Sequence, residues 1–177
     1  MTSQYDNLSI RGRVAYLIMC FERYVAQKYP DRDMTIVATL MWNIVNDSDY
    51  IDESAYKYTE IIPMYIHEAP DFKTLRLDYL TEEEYNAFVT LLPRPEEDPE
   101  LNTIMQRIYD VAMEFAYTEV LLDKPVTKNY LEEVDDILAK NGIEAPDIGK
   151  IPKSTPDEYD GWGDFIDSKP LSIILKK

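Results

Sequence analysis

The sequence predicts a mainly α protein: a single-domain bundle of about six helices with a small two-stranded β element and an irregular C-terminal tail. Three observations predict it. Apolar residues recur at intervals of three and four along most of residues 1–142. Capping residues and prolines punctuate these stretches where helices begin and end. Only one short segment, Thr74–Tyr79, alternates with period two, and periodicity fails after Ile143. Residues 1–142 therefore read as a helical body and 143–177 as a tail that wraps it, within the size of one domain.

The first helix carries Ile10, Val14, Leu17, Ile18, Phe21 and Val25 as one stripe. Asp6, Asn7 or Ser9 can cap it, and Tyr29-Pro30 ends it, because a residue before proline is driven out of the helical region. The second is capped by Asp31 or Asp33 and lined by Met34, Val37, Leu40, Met41, Ile44 and Val45. The third spans Asp52 to about His67, with a kink or a break into two short helices at Pro63, which lacks a backbone donor. Thr74–Tyr79 is the strand candidate. It is followed by the capping box Thr81-Glu82-Glu83-Glu84 with Leu80 and Tyr85 as its hydrophobic staple. Asp98-Pro99 opens a long helix ending near Asp123-Lys124-Pro125. Thr127 caps the last helix, with Val126 and Leu131 as staple, and Asn141-Gly142 stops it.

In the tail, Trp162, Phe165 and Leu171–Leu175 are too apolar to be left in water. The run 171–175 reads as a strand. It pairs with 74–79, or it stays an edge that a partner completes.

Charge is the strongest functional signal. The net charge is −16, and it is unevenly placed. Residues 1–46 carry five Lys and Arg against four Asp and Glu, whereas residues 47–100 carry four against fifteen. So concentrated an acidic segment disfavours nucleic acid and anionic membrane as partners and suits a basic protein. The residues expected to bind it are Asp47, Asp49, Asp52, Glu53, Glu82, Glu83, Glu96, Glu97 and Asp98, with Tyr50 and Tyr56 as aromatic contacts. Glu82–Glu84 also have a purely structural reason to exist, since a helix dipole favours acids in its first turn. The 14 tyrosines serve an interface, or close the periphery of the core by hydrogen-bonding to nearby carboxylates.

Catalytic chemistry finds little support. A single histidine, His67, and a single cysteine, Cys20, disfavour zinc sites, and no cofactor is expected. Cys20 lies in the apolar run Val14–Phe21 and reads as a small buried hydrophobe. There is no glycine-rich phosphate loop and no nucleophile elbow. Asp31-Arg32-Asp33 and Asp47-Ser48-Asp49 lack the glycine and terminal glutamate of a calcium loop. The remaining candidate is Glu132, Glu133 and Asp136, one helix turn apart, which loosely echo the Mg²⁺-binding acids of all-α nucleotide pyrophosphohydrolases. A solvated helix face explains them better.

Arg11 and Arg13 before Val14–Phe21 loosely imitate a signal peptide, but the run is short and ends in Glu22-Arg23 without a cleavage site. No stretch approaches the ~20 apolar residues of a membrane span, so a cytoplasmic location is expected.

The opening Tyr5-Asp6-Asn7-Leu8-Ser9-Ile10-Arg11-Gly12-Arg13, the box Leu80-Thr81-Glu82-Glu83-Glu84, and Gly161-Trp162-Gly163-Asp164 before Leu171–Leu175 resemble immunity proteins of bacterial polymorphic or contact-dependent toxin systems. The resemblance spans most of the chain. It implies a cytoplasmic binder of one cognate toxin and gives no residue a role. Two other readings follow from the residues: a Mg²⁺-dependent hydrolase acting through Glu132, Glu133 and Asp136, and an adaptor that assembles through its C-terminal strand.

Overall fold

A computed structural model describes residues 4–46, 51–114, 125–153 and 162–176. Among these, eight α-helices form the body: α1 (Ile10–Lys28), α2 (Thr35–Asn46), α3 (Ile51–Ile61), α4 (Pro63–Ile66), α5 (Phe72–Leu75), α6 (Glu82–Leu91), α7 (Pro99–Glu114) and α8 (Pro125–Lys140). The six expected helices are present, and two single-turn helices are added. One of these is the piece beyond Pro63, which sits at the first position of α4 and splits the third helix there. Residues 115–124, where α7 was expected to end, lie outside the described residues.

Helix α1 is the axis of the bundle and packs against α2, α7 and α8. Ser9 caps it by accepting from Gly12 N–H, and Tyr29 N–H closes it on Val25 C=O at 2.8 Å. The expected stripe is buried, but so is the opposite side. Fifteen of its residues are buried, so elements cover it all round. Ile104, Ile108 and Val111 of α7 and Leu131, Val134 and Leu138 of α8 complete the core. Each such side chain contributes roughly 1.5–3 kcal/mol by leaving water.

Burial of the polar side of α1 encloses three charged residues, and each ties a distant segment to the axis. Arg13 donates from Nη1 to Thr127 Oγ1 at 2.7 Å. Arg11 donates to Gly163 C=O at 2.6 Å, and its guanidinium lies over the rings of Phe165 (4.5 Å) and Trp162 (5.6 Å). Glu22, fully buried, accepts from Trp42 Nε1 (2.8 Å), Ser172 Oγ (2.6 Å) and Ile173 N–H (2.6 Å). A buried carboxylate is tolerable only when its lone pairs are filled this way. The C-terminal segment thus folds back onto the axis, and Ile151, Ile166, Leu171 and Ile174 join the core.

The expected β element is not seen: the described residues contain no strand. Asp71 accepts from Thr74 N–H and caps a single helical turn, and Arg76 leaves it in the left-handed region at φ 53°. Leu75 and Leu77 still pack against the core, so the alternation records burial without a ladder. Where the expected strand ends, three successive backbone donors go to one side chain. Glu60 of α3 accepts from the N–H groups of Asp78 (2.7 Å), Tyr79 (3.1 Å) and Leu80 (2.9 Å). At 171–175 the chain turns, with Ser172 N–H on Ser168 C=O and Ser172 Oγ accepting from Leu175 N–H.

Where they can be seen among the described residues, caps and stops follow the expectation except for the cap of α8. Asp33 accepts from Thr35 N–H at α2, and Thr81 and Glu84 form the complete capping box of α6. Asp98 Oδ1 accepts from Leu101 N–H at α7. Helix α8 begins at Pro125, so Thr127 lies inside it, buried, and accepts from Arg13 rather than capping. Gly142 at φ 67° ends α8, with Ile143 N–H on Leu138 C=O and Gly142 N–H on Ala139 C=O.

Candidate functional site

The candidate surface is built on α3, α6 and the loop that follows α6. Glu60 holds residues 78–80, just before α6, and Lys57 Nζ meets Glu84 Oε1 at 2.6 Å within its first turn. Nearer its start, α3 places Glu53 and Ser54 on a cleft shared with Phe88. Contacts therefore run backward along α3 as they run forward along α6, and the two helices lie antiparallel.

Glu53 on α3 and Glu82 and Glu83 in the first turn of α6 are exposed. Glu96 and Glu97 are exposed on the loop beyond Leu91, where Glu97 accepts from Arg94 N–H at 3.0 Å. Tyr56 stacks on the exposed Tyr79, with ring centroids 5.6 Å apart and planes 18° from parallel. Asp52 lies in the first turn of α3. Asp47, Asp49 and Tyr50 lie outside the described residues.

Asp98 does not belong to this surface. It is 7% exposed, and besides capping α7 it accepts from Tyr24 (2.9 Å) and Tyr29 (2.7 Å) hydroxyls. The other acids fall in two groups. Helix α6, of ten residues, is about 15 Å long and separates Glu82 and Glu83 from Glu96 and Glu97.

The basic residues of the first 46 do not neutralise these acids. Arg11 and Arg13 are buried, Arg23 lies beside Glu144, Lys28 lies over the Tyr24 ring, and Arg32 donates to Leu91 C=O. Among the described residues, no lysine or arginine forms an ion pair with Glu53, Glu82, Glu83, Glu96 or Glu97. Glu84 differs. Burial opposes its charge, but the Lys57 ammonium and the Thr81 N–H and hydroxyl outweigh it and hold its carboxyl below the usual glutamate range.

Between α2, α3 and α6 lies a cleft of about 630 Å³, lined by Ile36, Leu40, Glu53, Lys57, Glu84 and Phe88 among others. Ile36 is 38% exposed. The sequence carried one sign of it: Ile36 is apolar yet falls outside the stripe of α2.

The alternative metal residues do not converge. Glu133 is held by Arg107 Nε at 2.6 Å, and Arg107 also meets Asp110 at 2.6 Å and lies 4.5 Å over Tyr130. Glu132 and Asp136 are exposed. Among the described residues, no three His, Cys, Asp or Glu side chains are grouped to hold a metal ion. Cys20 is buried, and burial raises its thiol pKa well above the ordinary value. His67 Nε2 lies 2.9 Å from Leu92 C=O at the end of α4, joining α4 to the end of α6.

Four tyrosines take the structural role. Tyr5 and Tyr16 both donate to Asp135, and Tyr24 and Tyr29 to Asp98. Among the described residues, no helix is long and apolar enough to cross a membrane. Comparison with family models, with curated proteins and with solved structures gives no match.

Proposed function

We propose that this chain is an acidic cytoplasmic binding protein that neutralises a basic toxin domain, as the immunity proteins it resembles do. The observation that supports this reading most is the set of exposed carboxylates Glu53, Glu82, Glu83, Glu96 and Glu97, which form no ion pair among the described residues. Carboxylates left unneutralised in a segment with fifteen acids and four bases set up a negative field that steers a cationic partner and raises its rate of encounter. The Tyr56–Tyr79 stack beside them supplies rigid apolar contact at low entropic cost. An inhibitor of this kind offers carboxylates where a nuclease binds phosphates, and it acts by occlusion.

The test is co-production with a candidate basic toxin domain. Growth is restored by the native chain and lost again when Glu82, Glu83, Glu96 and Glu97 are changed together to lysine. Growth that does not depend on these four charges contradicts the reading.

A further inference from the structure

The cleft between α2, α3 and α6 combines an apolar floor with an acidic rim. Ile36, Leu40 and Phe88 supply the floor, and Glu53 and Glu84 stand on the rim with Lys57 between them. Glu82 and Glu83 share the first turn of α6 with Glu84 and add negative charge just outside the cleft lining. At about 630 Å³ the cleft is large enough to seat several side chains. Its walls are the helices α2, α3 and α6.

We propose that this cleft is a docking groove for an amphipathic, cationic helix of the protein partner. Aliphatic side chains of that helix seat on Ile36, Leu40 and Phe88, and flanking lysines or arginines meet Glu53 on the rim and reach past it to Glu82 and Glu83. A helix in a groove is anchored by apolar residues spaced three and four apart, which matches a trough running between helices. Charge selects the occupant. A second copy of a chain with net charge −16 is repelled by this acidic end of the cleft, as is any anionic partner, whereas a cationic helix brings the counter-charge that Glu53 on the rim and Glu82 and Glu83 beside it do not find in an ion pair among the described residues. The proposal rests on the reading above that the partner is basic, and it adds where the partner is held and by which chemistry.

Two probes test it: a synthetic helical peptide of about 14 residues with leucines on one face and lysines on the other, and a peptide of identical composition with the leucines scrambled. Binding is read by fluorescence anisotropy, and its site by amide shifts. The patterned peptide is expected to bind about tenfold more tightly than the scrambled one, with shifts confined to residues 35–43, 53–57 and 82–88.

Ile36→Ser removes an exposed apolar contact and no charge, and it should weaken the patterned peptide about tenfold. Thr39→Arg, also at an exposed position, places a like charge in the trough and should do the same. The proposal is overturned if both peptides bind equally, if neither binds, or if a leucine–glutamine version binds as tightly as the lysine one. Because Ile36→Ser leaves every carboxylate in place, an effect of the four lysine substitutions without one of Ile36→Ser rejects the groove and keeps the electrostatic reading. The converse rejects the electrostatic reading.

Discussion

Trp42 donates its indole N–H to Glu22 Oε1 at 2.8 Å, and both side chains are closed off from water. The same carboxylate takes Ser172 Oγ and Ile173 N–H, so one side chain of the axis joins α2 to the C-terminal segment. Glutamine at this position is nearly isosteric but turns one acceptor into a donor. Glu22→Gln is expected to cost about 2–3 kcal/mol and to lower Tm by about 5–10 °C. Thermal unfolding followed by Trp42 emission in a Trp162→Phe background measures it.

Deleting residues 171–177 removes two of the three donors to Glu22 and uncovers core around Leu171 and Ile174. The expected result is a monomer-preserving loss of stability larger than that of Glu22→Gln, read by thermal unfolding and light scattering. Loss of an assembly with the fold intact would instead favour an adaptor acting through this segment.

Four buried tyrosines and the half-buried Tyr29 should make the protein sensitive to alkali. Burial is the main cause that raises the pKa of Tyr5, Tyr16, Tyr24, Tyr29 and Tyr58. Asp135 adds to it for the first two, Asp98 for the next two, and Asp110 for Tyr58. Their folded pKa lies above the unfolded value of about 10, so the neutral form is stabilised by folding. Stability is intact below about pH 10 and falls as pH rises beyond it, where the unfolded chain binds fewer protons, by up to about 1.4 kcal/mol per pH unit for each tyrosine. Absorbance at 295 nm, a wavelength that reports tyrosinate, should show these five ionising only with the loss of helical circular dichroism.

Glu60 replaces a missing strand as the acceptor for residues 78–80. Glu60→Ala is expected to cost about 1–2 kcal/mol and to raise hydrogen exchange at Asp78, Tyr79 and Leu80 before it affects α1 or α7. Unchanged exchange at these three amides contradicts the role given to Glu60.

What was legible in the sequence was local. Periodicity placed the six longer helices, and short-range chemistry placed their ends: Ser9, Asp33, Thr81 with Glu84, Asp98 and Gly142 act within a few residues of themselves. What was not legible depends on partners far along the chain. The burial of Arg11, Arg13 and Glu22 is of this kind, because charged residues are almost never buried unless paired, and their partners lie 152, 114 and up to 151 positions away. Thr74–Tyr79 read as a strand because it alternates with period two, and nothing local showed that Glu60 on α3 takes the donors of residues 78–80. For the candidate surface, the acidic excess and its exposure at Glu53, Glu82, Glu83, Glu96 and Glu97 were readable from composition. The burial of Asp98 was not, because Tyr24 and Tyr29 reach it across about 70 residues of sequence.

The most direct measurement is the association rate with a basic toxin domain, the partner proposed above, as a function of ionic strength, for the native chain and for the variant carrying lysine at positions 82, 83, 96 and 97. Electrostatic docking requires a native rate that falls steeply with added salt, and a variant rate about tenfold or more lower at low salt with a flattened dependence. Equal rates with equal salt slopes for the two proteins would mean that these carboxylates do not guide the partner.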